Sequence, residues 1–197
     1  MPLKLAVLGS GKGSNFVAIQ KAILSGILAG KAQVVLVASD HADAGILDRA
    51  REFGLPWEAL PQSAFKTKLE PEIEAGLASS IRRAGADLVV LAGYMRVLKA
   101  PLLEAFPERI VNIHPSLLPA FKGLEAWKQA LAAGVPETGC TVHWVDVDLD
   151  GGDVLGRERV PILPGDTPET LHARIHEAEH RLYPAVIARL AVELGKV

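Results

Sequence analysis

The sequence predicts an α/β protein built on an open, doubly wound, mostly parallel sheet that becomes mixed near its C-terminal end and closes with a long helix. Three observations carry this expectation. Short apolar runs alternate with longer stretches whose apolar residues recur at three and four residues, which is the signature of successive βαβ units. After Pro136 two strand-like runs follow each other with no helix between them, as an antiparallel pair does. The remainder is one sustained helical pattern.

Taken in order, Leu3 to Leu8, Gln33 to Ala38 and Asp87 to Leu91 are near-continuous apolar runs, as expected of strands covered on both faces. Asn15 to Leu28, Ala42 to Phe53 and Glu70 to Ala84 are the intervening helices. Arg109 to His114 reads as a further strand ended by Pro115, and Gly123 to Ala133 as another helix. Thr138 to Val145 and Val154 to Pro161 form the antiparallel pair. The last helix spans Pro168 to Leu194 and opens on Asp166-Thr167-Pro168, an N-cap candidate followed by a proline in the first turn. No repeat, low-complexity tract or linker interrupts residues 1–197, which read as one domain.

Composition narrows the function. The chain has 197 residues, 49% hydrophobic and 22% charged, so it is long enough to bury a sizeable core without staples. Its single cysteine, Cys140, leaves no intrachain disulfide to form. With 21 Lys and Arg against 23 Asp and Glu, the balance points to neither nucleic acid nor an anionic membrane as partner. No apolar run approaches the roughly 18 residues of a membrane span. Met-Pro-Leu-Lys leads straight into the first strand with no secretory pattern, so a cytoplasmic protein is expected.

In an open α/β sheet ligands bind beyond the carboxyl ends of the strands, which directs attention to the residues after Leu8, Leu91 and Val111. Gly9-Ser10-Gly11-Lys12-Gly13-Ser14-Asn15 joins the first strand to the first helix, where free backbone N–H groups can face an anion. Walker A spacing is absent because Gly13 follows Lys12, and the dinucleotide fingerprint is broken by Ser14. A monophosphate ester therefore fits best. A dinucleotide stays open because Asp40 ends the second strand, where a ribose-binding acid would stand.

Asn112 and His114 lie two apart at a strand end and so share a face. A carboxamide that donates to an oxyanion and an imidazole that moves a proton form the pairing acyl transfer needs. The loop Asp146-Val147-Asp148-Leu149-Asp150-Gly151-Gly152 begins like an EF-hand, but Arg157 stands where a bidentate glutamate is required. It reads instead as a turn carrying one functional carboxylate able to orient the imidazole. His176-Glu177-Ala178-Glu179-His180 matches a zinc-protease pattern on the final helix. A catalytic zinc needs a third protein ligand, which the residues after His180 do not offer, so no metal is expected there.

Read together, Gly11-Lys12-Gly13-Ser14-Asn15, Leu91-Ala92-Gly93-Tyr94-Met95-Arg96, Asn112-Ile113-His114-Pro115-Ser116-Leu117-Leu118-Pro119 and Leu149-Asp150-Gly151-Gly152 resemble the folate-dependent formyltransferases of the phosphoribosylglycinamide type. The resemblance runs in order from about Leu3 to Pro184. It implies a Rossmann-like formyltransferase fold, in which 10-formyltetrahydrofolate is the cosubstrate and phosphoribosylglycinamide the acceptor in purine synthesis. By the same resemblance Asn112, His114 and Asp150 are catalytic, Gly13, Ser14 and Asn15 hold the phosphate, and Glu179 contacts the ribose. Met95, Arg96, Val97, Leu98, Asp146, Val147 and Asp148 line the folate pocket, joined by Lys68, where relatives often carry arginine. Glu125 and His176 replace the family's histidine and glutamine. Methionyl-tRNA formyltransferase and formyltetrahydrofolate hydrolase would each bring a further domain, so the smaller enzyme, as monomer or homodimer, is the expectation. A dinucleotide-dependent oxidoreductase and, less favoured, a zinc hydrolase remain the competing readings.

Overall fold

A computed structural model describes all residues, 1–197. The elements are β1 (Leu3–Leu8), α1 (Ser14–Ser25), β2 (Ala32–Ser39), α2 (Gly45–Glu52), β3 (Trp57–Ala59), α3 (Pro71–Arg83), β4 (Leu88–Leu91), α4 (Ala100–Ala105), β5 (Ile110–His114), α5 (Ala126–Ala132), β6 (Glu137–Trp144), β7 (Val154–Pro161) and α6 (Pro168–Glu193). They form one seven-stranded sheet in the order β3-β2-β1-β4-β5-β6-β7. Strands β1 to β5 pair in parallel, while β5 with β6 and β6 with β7 pair antiparallel. The doubly wound, mostly parallel sheet with an antiparallel C-terminal pair is thus as the sequence predicts.

The apolar strand runs follow from coverage on both faces. In β1, Leu3, Leu5 and Val7 join the core beneath α1, α2 and α6, while Ala6 and Leu8 join the second core beneath α3 and α4. In β4, Leu88 and Val90 point to the first core and Val89 and Leu91 to the second. A period of two divided between two buried faces leaves few polar positions, such as Lys4 near the start of β1, hence the near-continuous runs. Each fully buried Leu or Val contributes about 1.5–3 kcal/mol relative to exposure.

Two elements depart from the sequence reading. The three-residue β3 is an edge strand beginning after Pro56 with Trp57 half-exposed, and the six-residue α4 carries Pro101 in its first turn. Both are too short to show a period. The final helix starts as expected, because Thr167 caps it in a reciprocal box with Thr170. Pro184 lies inside α6, and the preceding Tyr183 is fully buried with its hydroxyl 2.9 Å from the Leu91 carbonyl and 3.0 Å from that of Val111. That contact fastens α6 beneath the carboxyl end of β4 and the neighbouring β5. No helix is long and apolar enough to cross a membrane.

The strand order reverses between β1 and β4, so the turns after these strands diverge and leave a crevice at their carboxyl ends. The candidate residues collect there.

Candidate active site

Strand β5 delivers Asn112 and His114 to the same face at its carboxyl end. In the neighbouring antiparallel strand His143 stands directly opposite Asn112. Asn112 Nδ2 lies 3.3 Å from His143 Nε2, and His143 Nδ1 lies 2.7 Å from the Trp144 carbonyl. Because a carbonyl only accepts, Nδ1 carries the proton and Nε2 accepts from the Asn112 amide. Burial lowers the His143 pKa, which suits this neutral form. One Asn112 N–H is thereby anchored and the other makes no hydrogen bond within the protein.

Asp150 reaches the same place from the β6–β7 loop. Its Oδ2 is 3.5 Å from His114 Nδ1 and accepts the Gly123 N–H at 3.0 Å, while Oδ1 is 3.8 Å from His143 Nε2. The residue holds a left-handed backbone, φ 50°, a strained state for a side chain larger than glycine that the surrounding contacts must maintain. Behind it, Gly152 passes so close to Trp144 that a Cβ would sit 1.9 Å from that carbonyl oxygen. On the other side of the imidazole, His114 Nε2 lies 2.8 Å from the Phe121 carbonyl. Both ring nitrogens therefore face oxygen acceptors. The 115–121 loop that supplies the Phe121 carbonyl is pinned by Thr141 Oγ1 donating to Ser116 O at 2.7 Å and by Arg157 donating to Leu118 O.

The glycine loop and α6 build a second cluster. Gly13 has φ 78°, and a Cβ there would lie 2.9 Å from the Ile46 backbone, so only glycine fits. The first helical hydrogen bond of α1 runs from Val17 N to Gly13 O, leaving the amides of Ser14, Asn15 and Phe16 without helical partners. Ser14 is exposed and Asn15 buried. Asn15 Nδ2 donates to Glu179 Oε2 at 2.8 Å, and Asn15 Oδ1 finds no partner within the protein. Burial pushes the Glu179 carboxyl up to about 7, partly offset by the Asn15 hydrogen bond. His176 Nε2 stands 4.0 Å from the same Glu179 oxygen.

His176 of the apparent zinc motif is taken up in a stack of rings. His172 stacks on Trp127 with ring centroids 3.7 Å apart, and His176 tilts against His172 at 4.0 Å. No three His, Cys, Asp or Glu side chains come together in a metal-holding arrangement.

The third group is the segment after β4. Met95 is exposed and its N–H donates to Ser10 Oγ at 2.9 Å; Val97 N–H donates to Thr67 O at 2.8 Å; Leu98 is buried in the second core. The Arg96 side chain turns inward, with Nε 2.5 Å from Asp40 Oδ2 and a terminal nitrogen 2.5 Å from Phe65 O. Asp40 is thus occupied by an ion pair, and the observation that kept a dinucleotide open is gone. Lys68 belongs to the loop tied to this segment, its ammonium 4.5 Å above the Phe65 ring. Asp146, Val147 and Asp148 are exposed on the β6–β7 loop. Asp146 and Val147 flank a groove that Leu103, Phe106 and Trp144 also line, on the α4 side of the loop.

The residues that sequence reasoning missed are His143 and Ser10. The position of His143 becomes visible only once β5 and β6 are placed in register. A histidine two residues after Thr141 in an apolar strand is the only local signal.

The formyl transferase family profile matches residues 3–187, and the chain belongs to that family. Among its relatives, phosphoribosylglycinamide formyltransferase of Bacillus subtilis is 40% identical over 95% of this chain and 94% of its own length. The trifunctional purine biosynthetic protein adenosine-3 of Drosophila pseudoobscura pseudoobscura is 44% identical over 95% of this chain, which spans 14% of that longer protein. Among solved structures, glycinamide ribonucleotide transformylase 1 from Symbiobacterium toebii superposes with a TM-score of 0.92 at 45% identity, covering 98% of this chain and 89% of that one.

Proposed function

We propose that the chain transfers the formyl group of 10-formyltetrahydrofolate to the amine of 5'-phosphoribosylglycinamide, as a purine-biosynthetic enzyme of the cytoplasm, working as one formyltransferase unit over residues 1–197. The observation that carries this reading is the convergence of Asn112, His114 and Asp150 at the carboxyl end of β5, beside a helix start with free amides and a buried carboxylate.

The amides of Gly13, Ser14 and Asn15 receive the phosphate, where the helix N-terminus carries about half a positive charge. Glu179 accepts from ribose hydroxyls, and Asn15 holds its carboxylate in place. Met95 to Leu98 and Asp146 to Asp148 form the walls of the pterin pocket, and Lys68 lies near its mouth. With both substrates placed, the acceptor amine attacks the formyl carbon. Asn112 donates its free N–H to the developing oxyanion, and His114, whose Nδ1 makes only a long 3.5 Å contact to Asp150, turns that N–H to it from the same face. Asp150 orients the imidazole and supports transfer of the proton lost by the amine to the departing folate nitrogen. The C–N bond to the folate then breaks, giving the formamide and tetrahydrofolate.

The test is an assay of the purified protein with the two substrates. Formylated product and tetrahydrofolate in equal amounts are expected. Turnover absent with this acceptor overturns the proposal.

A further inference from the structure

We infer that Asp40 is a positioning residue for the formyl-donor pocket: its buried ion pair with Arg96 holds the Met95–Leu98 segment in register with the loop that carries Lys68. This rests on the donor-pocket reading above.

Three consecutive residues of the segment are fastened to three separate parts of the chain. Met95 hangs on Ser10 after β1, Arg96 on Asp40 after β2, and Arg96 and Val97 on Phe65 and Thr67 before α3. Gly93, at φ 74°, precedes them as a swivel. The two backbone tethers fix distance, but only the guanidinium crosses the interior and sets the direction in which the segment faces. Its side chain is 9% exposed and that of Asp40 1%. At that burial the charge of Arg96 is spent within the protein, so it contributes orientation and is not offered to a ligand carboxylate.

The pair is a poor device for stability alone. A buried ion pair loses in desolvation much of what it gains in attraction, and here Asp40 Oδ1 is buried with no partner, as is the Tyr94 hydroxyl nearby. The only other group on the carboxylate is His41, half-exposed, with Nε2 3.3 Å from Oδ2. What the pair supplies is a planar, two-ended strut between Oδ2 and the Phe65 carbonyl, a geometry that lysine or a neutral side chain does not reproduce.

The experiment compares Asp40→Ala, Asp40→Asn and Arg96→Gln with the parent in steady-state kinetics, alongside hydrogen exchange of backbone amides. Asp40→Ala should raise KM for 10-formyltetrahydrofolate by about tenfold or more, as expected when a support distant from the chemistry is removed. KM for phosphoribosylglycinamide should stay within about twofold, because its contacts lie on α1 and α6. Asp40→Asn, which keeps an acceptor for Arg96 Nε, should recover most of the loss. Exchange should accelerate at Met95 to Leu98 and at residues 62–69 while the helices stay protected. Arg96→Gln should reproduce the pattern, and the double variant Asp40→Asn with Arg96→Gln, which leaves no unpaired buried charge, guards against Asp40→Ala failing to fold. Unchanged exchange at Met95 to Leu98, or equal rises in both KM values with a matching fall in kcat, overturns the inference. Loss of formyl transfer in the parent itself would overturn the functional reading instead, and the exchange result would still decide whether Asp40 holds the segment.

Discussion

The two halves of the crevice are built differently. On the proposed phosphate side the groups sit on the start of α1 and the middle of α6, with Asn15 and Glu179 buried and hydrogen-bonded to each other and Tyr183 locking the long helix to β4 and β5. On the donor side they sit on turns, with Met95 and Val147 largely exposed and orientation depending on tethers from distant loops. Asn112, His114 and Asp150 stand on the seam, two from a strand and one from a strained loop. Under the proposed function, rigid elements would carry recognition of the small acceptor and tethered loops that of the larger donor.

The largest effects should come from the seam. Asn112→Ala should lower kcat by about two to three powers of ten, the usual worth of an oxyanion donor. Combined with Asp150→Ala it should cost less than the product of the single losses, since residues acting as a unit are not additive. Strict multiplicativity in single-turnover rates would place the two residues in separate steps.

Next is the pH dependence that Glu179 imposes. With its carboxyl raised from the ordinary 4.5 to about 7, the unfolded chain releases this proton first. Stability from this group is therefore full below pH 4.5 and declines as pH rises toward 7, by about 3 kcal/mol in all. Glu179→Gln should flatten that slope in thermal melts recorded across the interval; an unaltered slope would mean that the carboxyl titrates normally.

The same site separates the two halves kinetically. Glu179→Ala should weaken phosphoribosylglycinamide by roughly 1.5–3 kcal/mol, the worth of a hydrogen bond to a charged partner, and leave donor affinity alone. Parallel losses in titrations of both ligands would erase the division between the halves. Gly13→Ala forces an L-residue to φ 78° against the Ile46 backbone and should cost about 1–3 kcal/mol of stability, together with acceptor binding. An unchanged melting temperature would show that the loop can relax. The smallest effect belongs to the donor side: Val147→Ser, on a residue 86% exposed, should move stability by no more than about 0.5 kcal/mol while raising donor KM. A larger stability change would mean that this loop is as firmly packed as α6.

Local pattern sufficed where the physics is local. The apolar strand runs, the helical spacings, the Thr167 cap and the same-face pairing of Asn112 with His114 are all properties of the nearest few residues, set by periods of 2 and 3.6. The free amides of the glycine loop were legible for the same reason, because glycines before a helix start expose amides whatever lies around them. The roles of Asp150 and Glu179 came from resemblance, since neither residue sits near its partners in the chain. Tertiary structure alone decided the rest. His143 meets Asn112 only through the β5–β6 register, Arg96 reaches Asp40 only because the turns after β2 and β4 face each other, and His172 meets Trp127 only where α5 packs on α6. Such contacts depend on how the sheet is ordered and how its helices are laid, and the energy that selects those arrangements is summed over the whole core, so no short stretch of sequence displays it.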